Sequence, residues 1–318
     1  MTKLMFLFIF SCIIKNCFAK IGTIPIGFNE NVTVKSYDNT KTPIVFWHGM
    51  GDTCCAAFSL GAFRTYLLKQ IPGVYVYSLR IGDNTIDDLE NGYFMHPNKQ
   101  VEQACQKLTE NPYLAKGFNA IGFSQGSQFL RAVVQRCGQK LKVKNLISLG
   151  GQHQGVYGLP HCGALQHETC DYVRKLLNYA AYVNWVQESL VQATYWHDPL
   201  NEKEYKEKSQ FLSDINNEMT INTTYIENLN KLEHFVMVKF NNDSIVQPRE
   251  TEWFGFYAPG QDKKMETLQD SYIYTEDRLG LKEMMNSGKL VFLATDGDHL
   301  RFSEEWIYAN VLKPYLMN

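Results

Sequence analysis

The chain has 318 residues, of which 45% are apolar and 20% are charged, so it is long enough to bury a large core and is neither fibrous nor disordered. Its 31 basic residues nearly balance 33 acidic ones, giving a formal net charge of −2, and no basic block stands out. This balance argues against a surface that follows nucleic-acid phosphates. We expect one or two globular units whose partners are not nucleic acids.

Residues 1–19 have the layout of a secretory signal peptide. Lys3 precedes an uncharged apolar run, 4–14, and small residues at Cys17 and Ala19 predict cleavage after Ala19. The alternative is a membrane anchor, but a helix over that run rises only about 17 Å against a hydrocarbon core of about 30 Å. Cleavage removes two of the eight cysteines, and the six that remain suit an oxidising compartment.

Three sequons agree with a secretory route and begin at Asn31, Asn222 and Asn242. After a signal peptide, such sequons predict glycans on exposed loops. No later segment approaches the roughly 18 consecutive apolar residues of a membrane span. We therefore expect no integral membrane segment after cleavage.

Short apolar runs alternate with helical patterns along the chain. The runs that predict buried strands are 42–47, 74–79, 118–123, 144–149, 235–240 and 290–294, and the patterns that predict helices are 100–108, 125–136 and 302–316. Apolar residues occur on both faces of most of these strands, which is typical of a parallel sheet covered on both sides. The pattern predicts an α/β fold with a mainly parallel sheet.

One connection is far longer than an ordinary crossover. It divides the chain into a core, 20–151 and 235–318, and a helical insertion, 152–234. An apolar stripe at helical spacing runs through Tyr172, Leu176, Tyr179, Val183, Val186 and Leu190. Two interpretations stay open and are compatible: a helix inside a second small core, or a wall of an apolar substrate groove.

The segment Gly122-Phe-Ser124-Gln-Gly126 carries the strongest chemical signal. It lies between a predicted strand and a predicted amphipathic helix, the context in which a G-x-S-x-G turn exposes a nucleophilic serine. The alternative is a tight-turn serine without chemistry. We predict that Ser124 is a nucleophile.

A serine nucleophile needs a base that is oriented by an acid, and in this fold class the acid precedes the histidine in the chain. His299 follows the last predicted strand, and Asp243 is the first acid after the preceding one. Asp262 and Asp270 are rival acids farther from a strand end. Because neighbouring residues of an extended segment point to opposite sides, a glycan on Asn242 would leave Asp243 facing the site.

An oxyanion hole needs two backbone N–H groups. Gln125 follows the nucleophile and supplies the first. Met50 lies between two glycines directly after an early strand and is our choice for the second, against the alternative of a generic glycine turn.

The chain resembles the palmitoyl-protein thioesterases, a lysosomal family of α/β-hydrolases, from about residue 43 to the C-terminus. The matching strings are His48-Gly-Met-Gly-Asp52 with Cys54-Cys55, Gly122-Phe-Ser-Gln-Gly126 continuing to Arg136-Cys137, Gly150-Gly-Gln-His-Gln-Gly155, Tyr195-Trp-His-Asp-Pro199, Asn242-Asp-Ser-Ile-Val246, Glu252-Trp-Phe-Gly-Phe-Tyr257 and Gly297-Asp-His299. Ser127 departs from the family, which commonly has glycine there.

The resemblance implies the same site residues: Ser124 as nucleophile, Asp243 as acid, His299 as base, and Met50 and Gln125 as oxyanion donors. It also implies that a helical insertion domain between the sixth and seventh strands binds a fatty acyl chain, and that the enzyme is lysosomal.

Six cysteines permit 15 pairings. Cys162 and Cys170 enclose a short loop and Cys105 and Cys137 each lie near the end of a predicted helix, so both pairs are candidates; the resemblance implies the vicinal pair Cys54–Cys55.

The expected activity is hydrolysis of long-chain acyl thioesters on S-acylated cysteines of proteins or peptides, through an acyl-enzyme on Ser124. The alternatives are a lipase or general carboxylesterase, and a catalytically silent secreted binding protein on the same scaffold. No cofactor is expected, and no metal, since no histidine and carboxylate residues have metal-ligand spacing in the sequence.

Overall fold

The computed structural model describes residues 37–158 and 178–317, which are built around one parallel sheet. Its strands are β1 (Ile44–Trp47), β2 (Val76–Ser78), β3 (Phe118–Phe123), β4 (Val143–Leu149), β5 (His234–Phe240) and β8 (Leu290–Thr295), and β6 (Phe256–Tyr257) pairs antiparallel with β7 (Met265–Glu266). The six strands lie in the order β2-β1-β3-β4-β5-β8, and every neighbouring pair is parallel. The carboxyl ends of these strands therefore meet at one edge.

The helices fill the connections between strands. They are α1 (Leu60–Gln70), α2 (Thr85–Phe94), α3 (Pro97–Glu110), α4 (Gln125–Cys137), α5 (Asn184–Ser189), α6 (Val191–Thr194), α7 (Glu202–Lys208), α8 (Leu212–Ile215), α9 (Thr223–Asn230), α10 (Tyr272–Thr275), α11 (Leu281–Asn286) and α12 (Glu304–Ile307), with 3₁₀ helices at Pro112–Leu114 and Arg249–Trp253 and a π-helix at Tyr308–Leu316. Their starts follow local chemistry: Asn84 caps α2 by accepting two backbone N–H groups, and α3 begins at Pro97.

The central strands are covered on both faces. Every residue of β1 and β3 is buried, and one apolar cluster joins Phe46 and Ile121 of the sheet to Val311 and Leu312 of the C-terminal helix. Helices therefore cover the sheet, which removes apolar surface on both sides from water. The predicted α/β class with a mainly parallel sheet is confirmed, and each of the six predicted strands is present with ends shifted by at most two residues.

The long insertion departs from two expectations. Counted among the described residues it lies between the fourth and fifth strands, β4 and β5, rather than the sixth and seventh, because only four strands precede it from residue 37 onwards. The apolar stripe does not form one continuous helix in its described part, since the chain turns at 181–183 before α5 begins at Asn184.

The outer end of the stripe is also exposed rather than buried. Val186 and Leu190 are buried, whereas the Tyr179 side chain is 83% exposed and Val183 is 38% exposed. The turn at 181–183 rotates the residues before it out of the helical register, so spacing by three and four no longer places them on one face.

None of the helices within 37–158 and 178–317 is long and apolar enough to cross a membrane. The predicted signal peptide 1–19, the sequon at Asn31 and the pair Cys162–Cys170 lie outside the described residues.

Candidate active site

Ser124 lies at the sharp turn between β3 and α4. Its backbone has a φ of 52° and a ψ of −121°, a strained conformation that non-glycine residues rarely adopt. Two glycines make the turn possible: a Cβ atom at Gly122 would lie 2.2 Å from Ser127 Cα, and one at Gly126 would lie 2.3 Å from the Trp47 carbonyl oxygen. The strand, turn and helix expected around Ser124 are therefore present.

His299 and Asp243 meet beyond the ends of the neighbouring strands β8 and β5. Their Nδ1 and Oδ2 atoms are 2.5 Å apart, and the Asp243 side chain is fully buried while His299 is 11% exposed. The other carboxylate oxygen accepts backbone N–H groups from Ile245 at 2.7 Å and Val246 at 2.8 Å. Burial alone would raise the pKa of Asp243, but these hydrogen bonds, above all that from His299, outweigh burial and lower it. The carboxylate stays ionised and orients the ring.

Asp298 fastens the two loops that carry this pair. Its carboxylate accepts the Ser244 backbone N–H at 2.9 Å, the Ser244 hydroxyl at 3.0 Å and the His299 backbone N–H at 2.7 Å. Asn242 faces solvent while the adjacent Asp243 is only 3% exposed, the alternation expected of an extended segment.

Gly150 links the serine to the histidine. The Ser124 backbone N–H donates to the Leu149 carbonyl at 2.8 Å, and a Cβ atom at the next residue, Gly150, would lie 3.0 Å from His299 Cε1. Both groups therefore lie at the end of β4. Within the described part of the chain, no hydrogen bond joins Ser124 Oγ to His299, and Nε2 of that ring makes none; such contacts are often long before substrate binds.

The loop after β1 lies against the nucleophile. A Cβ atom at Gly49 would be 3.0 Å from Ser124 Cβ, which places the following residue, Met50, close to the serine. Gln125 is the first residue of α4 and is 2% exposed. Among residues 37–158 and 178–317, the backbone N–H groups of Met50 and Gln125 donate no hydrogen bond, so both are available to a substrate oxygen.

The insertion contacts both of these residues. The Tyr195 hydroxyl donates to Gln125 Oε1 at 3.1 Å and lies 3.9 Å from Met50 Sδ, while the Gln192 amide also contacts that sulfur. The side-chain amide nitrogen of Gln125, Nε2, in turn donates to the Gly92 carbonyl at 2.9 Å. One buried tyrosine of the insertion thus fastens both proposed oxyanion donors.

Below the Met50 loop lies a buried histidine and aspartate pair. His48 Nε2 is 3.1 Å from Asp88 Oδ1 and His48 Nδ1 is 2.8 Å from the Gly49 carbonyl. The Asp88 carboxylate also accepts the backbone N–H groups of Cys54 at 2.8 Å and Ile81 at 2.7 Å. This pair fixes the loop from beneath.

The structure joins Cys54 to Cys55 and Cys105 to Cys137 by disulfides. The second connects α3 to the end of α4. The vicinal pair follows the Met50 loop, and the Cys54 carbonyl accepts the Ser78 hydroxyl at 2.5 Å.

One cluster could hold a metal ion by its donor types. Ligand atoms of Asp243, Glu252 and His299 all lie within 4.8 Å of one another. Spacing along the chain does not indicate it, because Glu252 and His299 are remote in the sequence and only folding brings them together. A cation bound there would have to break the 2.5 Å contact between Asp243 and His299, which is a hydrogen bond rather than the spacing of two metal ligands.

The sequence patterns gave no role to Glu252 or Tyr195. Both stood only inside the strings that matched the family. What identifies them as parts of the site is that each is a polar group buried beside it, and spacing along the chain does not reveal burial.

Comparison with known proteins identifies the family of the chain. Residues 43–299 match the family description "Palmitoyl protein thioesterase". The chain is 46% identical to palmitoyl-protein thioesterase 1 of Caenorhabditis elegans, over 90% of this chain and 96% of that protein. It is 36% identical to palmitoyl-protein thioesterase 3 of Dictyostelium discoideum, over 87% and 92% of the two chains, and 26% identical to the human protein named lysosomal thioesterase PPT2, over 86% and 87%.

A match across most of the chain, together with a parallel six-stranded sheet and a strained serine turn at its carboxyl edge, places the protein among the α/β-hydrolases. The chain belongs to the palmitoyl protein thioesterase family and is an enzyme that hydrolyses thioesters.

Proposed function

We propose that the chain removes long-chain fatty acyl groups, such as palmitoyl, from S-acylated cysteines of proteins or peptides. The observation that carries the proposal is the 2.5 Å contact between His299 and Asp243 beside the strained turn of Ser124. Gly150 lies between the serine turn and the histidine ring, so the three groups occupy one edge of the sheet. The names of the relatives support palmitoyl-proteins as the substrate class.

The first half-reaction forms an acyl-enzyme. Ser124 Oγ attacks the thioester carbonyl carbon while its proton passes to His299 Nε2, and the Met50 and Gln125 N–H groups bind the oxygen that becomes negative. The carbon–sulfur bond then breaks, and the imidazolium gives its proton to the departing cysteine sulfur. A thiol has a pKa of about 8.5, so this leaving group needs less help than an alkoxide.

The second half-reaction releases the fatty acid. His299 takes a proton from a water molecule, whose oxygen attacks the ester carbon on Ser124. The bond from the carbon to Ser124 Oγ breaks, and the proton returns to that oxygen. Asp243 stays ionised throughout and stabilises the imidazolium.

We further propose that the insertion, 152–234, supplies the acyl-binding groove. Its residues Gln192 and Tyr195 contact Met50, so this segment lies next to the proposed oxyanion donors. Each methylene buried there would contribute about 0.8 kcal/mol to binding, so chain length would dominate affinity in a deep apolar groove.

The proposed location is the lysosome, with secretion as a second destination. The lysosomal names of relatives support it, and the exposed side chains of Asn222 and Asn242 support glycosylation at those two sequons. Glycosidase treatment of the secreted chain should lower its mass, and N222Q and N242Q should each remove one glycan. An unchanged mass would contradict the route.

The catalytic test is S124A assayed on a palmitoyl-cysteine peptide. We expect turnover to fall about a millionfold towards the uncatalysed rate, as for other serine hydrolases that lose the nucleophile. Unchanged turnover would reject Ser124 as the nucleophile, whereas wild-type turnover no faster than spontaneous hydrolysis would make a binding protein the better description.

The substrate test compares wild-type kcat/KM on palmitoyl thioesters with that on a palmitoyl oxygen ester and a triglyceride. We expect the thioester to be preferred. A clear preference for oxygen esters or triglycerides would instead identify a lipase or general carboxylesterase.

A further inference from the structure

Glu252 is a fully buried carboxyl group directly behind the proposed catalytic acid. It lies on the 3₁₀ helix Arg249–Trp253 and has no exposed surface. Its Oε2 atom accepts the backbone N–H of Phe240 at 2.8 Å, whereas Oε1, if the group is ionised, has no hydrogen-bond partner among the residues that the structure describes. An unpartnered charged oxygen in the interior is costly, so the geometry demands another arrangement.

The arrangement follows from the neighbouring carboxyl group. Oxygens of Glu252 and Asp243 lie within 4.8 Å of each other, and two buried carboxylates this close do not both ionise. Asp243 receives three N–H donors, from His299, Ile245 and Val246. Glu252 receives one. The negative charge therefore belongs on Asp243 and the proton on Glu252.

The other charged groups around the pair do not reverse this assignment. Lys239, on β5, favours an ionised Glu252, but its ammonium lies over the Trp253 ring at 4.2 Å rather than on the carboxyl group. Asp298, in the loop after β8, adds negative charge near Asp243 and does not itself bear on Glu252 among the main influences on that group. Burial first, and then Asp243, raise the pKa of Glu252 well above its usual value.

We infer that protonated Glu252 is a positioning residue that donates a hydrogen bond through Oε1 to the carboxylate of Asp243 and so fixes the acid against His299. The inference rests on the proposed function, because it assigns Asp243 to the triad. It makes the assembly a chain of four groups, Ser124, His299, Asp243 and Glu252, of which only the last is a neutral acid at working pH.

The role has a pH signature. As pH rises, Glu252 loses its proton, the donor to Asp243 disappears, and a second negative charge arises beside the first. Asp243 then loses its fixed orientation and kcat falls. A glutamine at this position keeps an N–H donor for Asp243 and an oxygen for the Phe240 N–H, and it cannot ionise.

The kinetic experiment measures kcat and KM on a palmitoyl-cysteine peptide from pH 5 to 9 for wild type, E252Q, E252A and the control E250Q, with S124A as the blank for spontaneous hydrolysis. Glu250 lies on the same 3₁₀ helix but is part-exposed beside Arg249. We expect E252Q to keep kcat within about threefold of wild type at pH 5 and to lack the alkaline fall. E252A should lose about ten- to a hundredfold in kcat with KM unchanged, the effect of one hydrogen bond to a charged acceptor.

An infrared difference spectrum tests the proton without any activity. Wild type minus E252Q at pH 7 should show the carbonyl stretch of a protonated carboxyl group, and wild type minus E250Q should not. This measurement stands even if E252A does not fold. It also separates the two proposals, since active S124A would reject the proposed nucleophile whether or not the band is present.

Two results would overturn the role of Glu252. One is an infrared difference without the protonated-carboxyl band. The other is an alkaline limb of E252Q identical to that of wild type and E250Q.

Discussion

Two histidine and aspartate pairs lie within the same site and differ in whether the histidine keeps a ring nitrogen without a hydrogen-bond partner. His299 is 11% exposed and bonds only through Nδ1 to Asp243, so in the described part of the chain its Nε2 remains unoccupied. His48 is 3% exposed, and both of its ring nitrogens face acceptors, the Gly49 carbonyl and Asp88. A ring with two acceptors must donate from both nitrogens, so His48 is an imidazolium.

A free ring nitrogen distinguishes a histidine that can transfer protons from one that is structural. Burial lowers the pKa of His48, but hydrogen bonding to Asp88 and its charge outweigh burial and raise it. Saturated and charged, His48 cannot accept a proton from a nucleophile. The His299 ring has one nitrogen, Nε2, without a hydrogen-bond partner among the described residues, as a proton acceptor requires. A histidine beside an aspartate is therefore not enough to indicate catalysis.

The largest expected effect separates the pairs by activity. H299A should lower kcat by about ten-thousandfold or more, because Ser124 loses its base, while the thermal midpoint stays close to wild type. Initial rates on a palmitoyl-cysteine peptide and a thermal melt of the same sample measure both. A fall of less than tenfold would show that His299 is not the base.

The second expected effect concerns the contribution of the His48–Asp88 pair to the free energy of unfolding. D88A should lower the free energy of unfolding by about 3–5 kcal/mol, because it leaves the His48 imidazolium buried without its partner. Urea unfolding measures the change. The control is D83A, an exposed aspartate in the loop before α2, with an expected change of about 0.5 kcal/mol or less. Equal effects of the two substitutions would show that the buried pair does not contribute to the free energy of unfolding.

A third effect extends the comparison to a buried acid in the insertion. Glu218 accepts the Tyr205 hydroxyl at 3.0 Å and also contacts the Tyr272 hydroxyl, and burial raises its pKa to about 7. Its folded-state pKa exceeds the unfolded value of 4.5, so its contribution to stability is fully present below pH 4.5 and is lost as pH rises through 7.

The corresponding variant is E218Q, which stays neutral. From pH 5 to 8 we expect wild type to lose about 3 kcal/mol of unfolding free energy through this group, and E218Q to lose that much less. Denaturant unfolding at several pH values measures the slopes, with E207Q as a control because Glu207 is 46% exposed on α7. Parallel slopes for E218Q and wild type would contradict the assignment.

The smallest expected effect on activity is that of a substitution at Tyr195. Y195F removes the hydroxyl that holds the Gln125 side chain, and we expect kcat to fall about three- to tenfold through a less well fixed oxyanion donor. Y182F is the matched control, since the Tyr182 hydroxyl is buried in the insertion but bonds the Trp196 carbonyl and the Asp198 N–H instead. If both variants lower kcat alike, loss of the hydrogen bond from Tyr195 to Gln125 is not the cause of the lower kcat.

Local patterns predicted the sheet well. The strand 118–123 and the helix starting at Gln125 coincide with β3 and the start of α4, because apolar runs and glycine spacing act over a few residues. The apolar stripe failed at Tyr179, because the turn at 181–183, which no local signal marks, changes the register. The roles of Ser124, Asp243 and His299 stay predictions, although the structure brings the last two into contact.

Long-range partners could not be predicted from spacing. Glu252 and Asp88 are acids like many others in the sequence, and only the fold buries each of them against a particular histidine or carboxylate. Periodicity reports which face of an element is apolar, whereas a buried polar group is placed by several elements at once.

The position of the insertion has an evolutionary consequence. It leaves the sheet at β4 and returns at β5, and these two strands are parallel neighbours in register. Its two ends are therefore held at a fixed separation by the sheet, and the cost of closing a longer or shorter segment changes only slowly with its length. Under the proposed function, evolution can replace this segment and so change the acyl-binding groove, while the sheet keeps the proposed nucleophile, acid and base in place.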